Sequence, residues 1–317
     1  MVRIGIIGTD ESAHRHTTVL LANNTFEIVG YYDYNNRDSM LLARKYRLIS
    51  YSSLDALFKY SDAIDISADM PGIFTLAEKS LKALKHLYIA YPHSLTADEL
   101  QYLLKLADES EVVLQLGTKH NYCPVCNFAS QTGKMPQTVH ICHLLNRKEQ
   151  HPLNRLKTEL PYDLSLALNV LNSNIIKIDP HVEMTGSTVF RCRMECDNGI
   201  LVTVAMHLDS EEAEKLTLRF SYPDMEMEMD VFHSVADIYY NEFDVGDHKL
   251  LEPYNERNIC RKHLEEFAAA MQRNQDMASM DLHMQCFIAA DLAIDYVRQM
   301  PVVKTLSGSY QGFSPGE

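Results

Sequence analysis

The stretch that most constrains the fold is the first one, Val2-Arg-Ile-Gly-Ile-Ile-Gly-Thr-Asp-Glu-Ser-Ala-His-Arg-His16. An apolar run (Val2, Ile4, Ile6, Ile7) stops at Gly8, and a helical pattern starts near Glu11 and continues through Val19, Leu20 and Leu21. Strand, glycine turn and helix in this order open a dinucleotide-binding βαβ unit. In such a unit the pyrophosphate lies against the helix N-terminus, where N–H groups and the dipole favour an anion. The expected pattern is G-x-G-x-x-G/A. Gly8 and Ala13 fill its first and third places, with Thr9 between, but Asp10 holds the second. A side chain there obstructs close backbone approach, and Asp10 with Glu11 adds negative charge where two phosphates should lie. The stretch points to the fold more strongly than to the cofactor.

Phe26–Tyr32 reads as the second strand, closed by Asp33. An acidic residue about 20 positions beyond the glycine turn is where an adenosine ribose diol is bound, which favours NAD over NADP. The alternative role for Asp33 is capping the next helix, a service that Asn35, Asn36 and Asp38 also offer. The candidate cofactor contacts are Gly8, Thr9, Asp10, Ala13 and Asp33, with Ala68 after the third core strand and Pro92 after the fourth.

Further strands at Ala63–Ser67, Leu87–Ala90 and Glu111–Leu116, and a short one at Leu48–Tyr51, alternate with helices at Ser39–Tyr46, Ser53–Tyr60, Ile73–Leu84 and Ala97–Glu109. Strands separated by helices of this length imply a parallel sheet with right-handed crossovers. From Lys119 the pattern changes to a strand at Thr138–Leu145, a helix at Tyr162–Leu171, and β-type segments at Thr188–Cys196, Ile200–His207, Leu216–Tyr222 and Met225–Val231. Asp197-Asn-Gly199 is a hairpin turn, because it supplies residues that tolerate positive φ. Helices at Asn258–Arg273 and Asp281–Arg298 follow, and the Ser-, Gly- and Pro-rich tail 307–317 is expected to be mobile.

Composition narrows the function classes. A net charge of −14 over 317 residues excludes the basic footprint that nucleic acid or an anionic membrane requires. No apolar run approaches the roughly 20 residues of a membrane span. The chain opens directly on a strand, without the pattern of a signal peptide, and its seven cysteines lack a small-domain disulfide framework. A cytoplasmic α/β protein is expected.

Several local stretches resemble the Gfo/Idh/MocA family of NAD(P)-dependent oxidoreductases. Lys85-His-Leu-Tyr-Ile-Ala-Tyr-Pro92 lines up with the family's G-K-H-V-x-x-E-K-P, and Leu116-Gly-Thr-Lys-His-Asn-Tyr122 occupies the place of its G-x-x-x-R/N-x strand exit. Gly133-Lys134 matches the entry to its open sheet, and His263–Met271 with Asp281–Tyr296 resembles its closing helices. The resemblance implies a Rossmann domain over 1–118 and an α+β domain over 119–306 with an open, mostly antiparallel sheet. It also implies NAD or NADP as cofactor, a small-molecule substrate, and a homodimer or homotetramer formed through that sheet.

At the catalytic places the chain departs from the family. Tyr91 stands where the family's proton-donating lysine is, and Ala90 where its glutamate is. Against the family's H-x-x-D signature, Asp163 takes the histidine place and Leu166 the aspartate place, and no histidine lies within Arg155–Ile175. A tyrosine before this proline is also found in the family's biliverdin reductase branch. A phenol with pKa about 10 is protonated at neutral pH, so Tyr91 can donate to a developing alkoxide and suits reduction unless a cation such as Lys119 lowers its pKa. His120, after the last Rossmann strand, and Asp163 are the other candidate substrate contacts; the alternative for each is a polar residue at a domain junction.

No metal centre is read from the sequence. Cys123-Pro-Val-Cys126 lacks a second cysteine pair, and a redox C-x-x-C belongs at the start of a helix in a thioredoxin-like unit, a context the pattern here does not supply. Cys192 and Cys196 share one strand face, whereas His140 and His143 fall on opposite faces. Two readings stay open: a reductase of a small carbonyl or conjugated substrate with Tyr91 as acid, and a catalytically inactive binding or assembly protein that kept the scaffold.

Overall fold

The structure, a computed structural model, describes residues 1–299 except 68–69, 92, 119–121, 147–151, 185–187, 242–245 and 274–279. The tail 307–317 and its expected mobility lie outside the described residues. The chain divides into two compact units, Met1–Tyr122 with Asn255–Met284, and Cys123–Tyr254 with the segment from Gln285.

The first unit runs β1 (Val2–Ile7), α1 (Glu11–Leu21), β2 (Phe26–Tyr32), α2 (Asn36–Tyr46), α3 (Leu54–Tyr60), β3 (Ala63–Ile66), α4 (Ile73–Lys82), β4 (His86–Ile89), α5 (Ala97–Glu109) and β5 (Leu114–Leu116). Its strands form a parallel sheet in the order β2-β1-β3-β4-β5. Strands buried on both faces read as near-continuous apolar runs, and Ile4, Ile6, Ile7, Ile64, Ile66, Leu87 and Ile89 are all fully buried. Short polar side chains start the helices: Asp10, Asn35 and Ser53 cap α1, α2 and α3, and Thr96 with Glu99 forms a capping box on α5.

The expected strand at Leu48–Tyr51 reduces to a single bridge, Tyr31 to Ser50. Gly30 makes that approach possible. It follows a register shift in the β1–β2 pairing and has φ of 150°, and a Cβ there would sit 2.3 Å from the Ile49 carbonyl oxygen.

The second unit comprises α6 (Pro124–Gln131), β6 (Thr138–Asn146), α7 (Pro152–Leu171), β7 (Ile175–Met184), β8 (Thr188–Cys196), β9 (Leu201–Ser210), β10 (Lys215–Ser221), β11 (Met225–Asp230), β12 (Val235–Tyr240) and β13 (Gly246–Leu250). Among the described residues its sheet has eight strands, ordered β13-β12-β11-β10-β6-β9-β8-β7, antiparallel except for the β6–β9 pair. The β8–β9 hairpin turns at Gly199 with φ of 81°, on the Asp-Asn-Gly sequence. α7 starts ten residues before the expected Tyr162, because the helix continues through Pro161. A proline inside a helix loses one backbone bond, and here apolar burial outweighs that loss: Leu156, Leu160, Leu164, Leu166 and Leu168 are all fully buried. β7 carries Pro180 and is an edge strand, the position at which a missing donor is tolerated.

Two helices follow. The sequence reading assigns α8 (Glu256–Arg273) to the second domain, but in the compact division it belongs to the first unit. The reason is its apolar face: Cys260, Leu264, Phe267 and Ala268 join the core formed by Ile4, Ile6, Ala13, Val19, Leu20 and Tyr88. From Gln285 onward α9 (Met280–Gln299) belongs to the second unit, and its Phe287 meets Tyr162 edge-on at 5.6 Å. Among the described residues no helix is long and apolar enough to cross a membrane.

Gly30→Ala is expected to destabilise the protein by about 2 kcal/mol or more, since the Ile49 carbonyl is backbone that cannot step aside cheaply. Urea unfolding of the variant checks this, and a midpoint equal to the parent's would remove the close approach as a constraint.

Candidate active site

In an open parallel sheet, ligands bind beyond the carboxyl ends of the strands where the strand order reverses, here between β1 and β3. Gly8, Thr9, Asp10 and Asp33 gather at that edge. Gly8 has φ of 112°, which turns the chain from β1 into α1. Asp10 is the N-cap of α1, and its Oδ1 accepts a 2.9 Å hydrogen bond from the Ala13 amide. The residue in the second glycine place thus uses one of the N–H groups a pyrophosphate would claim. Ala13 itself is fully buried against the sheet, the role of a small residue at the third motif position. Asp33 takes 2.8 Å bonds from the Thr9 hydroxyl and from the Asn35 amide. Asn35, not Asp33, caps α2. An ionised carboxylate offers about four acceptor positions, so Asp33 keeps capacity for a diol beside these two bonds.

Tyr91 follows β4 and is half-buried. The ends of β4 and β5 approach so closely here that a Cβ on Gly117 would lie 2.8 Å from both the Tyr91 amide nitrogen and the Tyr88 hydroxyl. Ala68, Pro92 and His120, with Lys119, lie outside the described residues. Asp163 belongs to the second unit, on α7, fully buried with a 2.6 Å hydrogen bond to His143 Nδ1 on β6. His140, on the other face of β6, is exposed. Cys123-Pro-Val-Cys126 does stand at a helix start, contrary to the sequence expectation, with Cys123 as the N-cap of α6. Both thiols are nonetheless fully buried, and the bond to Cys123, together with burial, holds Cys126 protonated well above the usual thiol range.

Sequence reasoning missed the contribution of α8. Gln115 on β5 donates to the His263 carbonyl at 3.0 Å, and His263 Nε2 donates to the Thr118 carbonyl at 2.8 Å. The longer 3.4 Å approach of the Thr118 amide to the same nitrogen competes with that bond and is the weaker of the two. Tyr122 donates to Glu266 and packs edge-on against His263 at 5.2 Å. α8 thereby pins the exit of β5, the segment that leads to His120. Burial lowers the His263 pKa to about 4, with His283 and His16 adding in the same direction against the Thr118 bond. His16 on α1 behaves oppositely. Burial lowers its proton affinity, but the charge of Asp65, 2.8 Å away, together with Cys260 and the hydrogen bonds to both, raises the pKa to about 10.

Residues 2–118, the βαβ array just described, match the family described as an oxidoreductase family with an NAD-binding Rossmann fold, GFO_IDH_MocA. Over that span the chain is similar to the Gfo/Idh/MocA family. A UDP-N-acetylglucosamine 3-dehydrogenase of Acidithiobacillus ferrooxidans is 27% identical over 132 residues, 42% of this chain and 42% of that enzyme. A glucose-6-phosphate 3-dehydrogenase of Bacillus subtilis is 26% identical over 130 residues, 40% of this chain and 36% of its own length. These matches span less than half the length of either relative. Among solved structures the likeness of fold extends further: the A. ferrooxidans enzyme superposes with a TM-score of 0.81 at 19% identity, covering 94% of this chain and 99% of that one. Biliverdin reductase from Synechocystis, solved with biliverdin and NADP+, superposes at 0.78 and 15% identity, covering 93% and 98%.

Two outcomes follow from this geometry. Asp10→Gly frees the Ala13 amide and removes one negative charge, at a capping cost of only a few tenths of a kcal/mol. Dinucleotide affinity measured by calorimetry is expected to rise about tenfold, the worth of one charged contact. Asp10→Asn, which keeps a cap but not the charge, should fall between parent and glycine variant. The pH dependence has two limbs. His263 is held neutral, so the unfolded chain takes up its proton first as pH falls from 6.5 towards 4, and stability drops there by up to about 3 kcal/mol. His16 gives stability that is complete below pH 6.5 and lost as pH rises towards 10. Urea unfolding from pH 4 to 9 should therefore peak near neutrality, and His263→Gln should flatten the acid limb alone.

Proposed function

We propose that this protein is a Gfo/Idh/MocA-like NAD(P)-dependent oxidoreductase, with NAD favoured, that reduces a small carbonyl or conjugated substrate using Tyr91 as proton donor. The observation that carries the proposal is the bond from Thr9 to Asp33, which ties the glycine turn to an acidic side chain at the end of β2. This pairing fits the adenosine end of a dinucleotide: Asp33 would accept from the ribose diol and the α1 N-terminus would face the pyrophosphate. When bound, the dinucleotide supplies the hydride. Tyr91 gives its phenolic proton to the oxygen of the carbonyl being reduced, as negative charge develops there. The steric limit at Gly117 fixes the backbone from which that phenol projects. The relatives named as a UDP-N-acetylglucosamine 3-dehydrogenase and a glucose-6-phosphate 3-dehydrogenase support an oxidised, phosphate-bearing sugar as the first substrate to try. A homodimer or homotetramer through the C-terminal sheet belongs to the same reading.

A second reading rests on one observation, the Asp10 carboxylate already seated on the Ala13 amide. On it the protein is a non-catalytic binding or assembly member that retains the scaffold. Titration with NADH, NAD, NADPH and NADP separates the two, since only the enzyme requires micromolar affinity for one of them. For the enzyme, Tyr91→Phe is expected to lower kcat about a hundredfold with coenzyme affinity unchanged. Unaltered turnover would remove Tyr91 from the mechanism.

A further inference from the structure

We infer that the second unit carries a divalent-cation site built from His143, Glu159 and Asp163. His143 lies on the buried face of β6, and Glu159 and Asp163 stand one turn apart on α7, on the same side of the helix. One ligand atom from each lies within 4.8 Å of the other two. Nitrogen and oxygen ligands held at about 2.0–2.2 Å from a common ion are at most about 4.4 Å apart, so the cluster needs little closing to share one.

The second observation concerns Asp163. Its Oδ2 is engaged by His143 Nδ1 at 2.6 Å, but among the described residues its buried Oδ1 has no hydrogen-bond partner. A buried carboxylate oxygen without a donor is costly, and a simple histidine–aspartate pair leaves that cost standing. A cation removes it. Glu214 brings a third carboxylate, with Oε1 3.8 Å from His143 Nε2. Three carboxylates thus lie around one imidazole. The Phe232 ring, 6.2 Å from His143, forms an apolar wall, which strengthens charge interactions by keeping the local dielectric low. One imidazole with two or three carboxylates is a ligand set for a borderline or hard ion, Mn2+ or Zn2+ rather than Cu+.

The site is separate from the coenzyme edge in sequence and unit, so its test does not depend on catalysis. The full chain, stripped with EDTA, is titrated with MnCl2 and with ZnCl2 by calorimetry, and its melting temperature is followed with and without each ion. One equivalent should bind at micromolar concentration or tighter and raise the melting temperature. Glu159→Gln and Asp163→Asn should each weaken binding at least tenfold, while His140→Ala, on the exposed face of the same strand, should bind as the parent does. Glu159 is only half-buried, so its variant decides the matter if Asp163→Asn fails to fold. Absence of saturable binding, or parental affinity in Glu159→Gln, overturns the inference.

Discussion

A carboxylate in the middle of a parallel sheet has to be answered from the layer packed on it, and Asp65 on β3 is answered by His16 on α1. Both side chains are out of water, and breaking such a pair leaves one uncompensated buried charge, which costs several kcal/mol. The constraint reaches beyond the two residues. Cys260 on α8 takes part in holding the His16 proton, and Tyr88 packs on both the His16 ring and Phe267. α1, β3, β4 and α8 are therefore set by one polar contact and its aromatic surround. α1 is the helix whose first turn faces the ligand edge, so the geometry of that turn is inherited from the pair.

The two units treat charge in opposite ways. At the first unit's ligand edge, Asp10 satisfies the helix N-terminus from within the chain, and Asp33 is already engaged by a hydroxyl and an amide. An incoming anion there competes with a tethered one. In the second unit, carboxylates of α7 and Glu214 gather round the imidazole of His143 on β6. In the first arrangement a dinucleotide has to displace the Asp10 cap, and in the second the proposed cation would join carboxylates already gathered.

Much of the first unit was legible in the sequence because a buried parallel strand is mostly an apolar run, and Val2–Ile7, Ala63–Ile66 and His86–Ile89 follow that rule apart from Arg3, Asp65 and His86. The second unit was less legible. β13 is too polar to announce itself, the helix was expected to begin only after Pro161, and β7, with Pro180 on the sheet edge, was not expected. The glycine turn, Asp33 and Ala13 were singled out by spacing alone. α8's grip on β5 could not be, since Gln115, Thr118 and His263 are far apart in sequence and meet mainly through main-chain carbonyls, which carry no residue signature. The same holds for His143: one histidine on one strand signals nothing until α7 is laid against it.

The return of α8 has a consequence for how the protein is made. The first unit consists of two chain segments with 123–254 inserted between them. When residue 122 leaves the ribosome, the apolar patch destined for Leu264 and Phe267 is still bare. At roughly 5–20 residues per second, the missing helix arrives on the order of ten seconds later. Until then the Rossmann half is an incomplete core that has to be kept from other hydrophobic partners. The insertion delays its completion until the chain has been synthesised through α8.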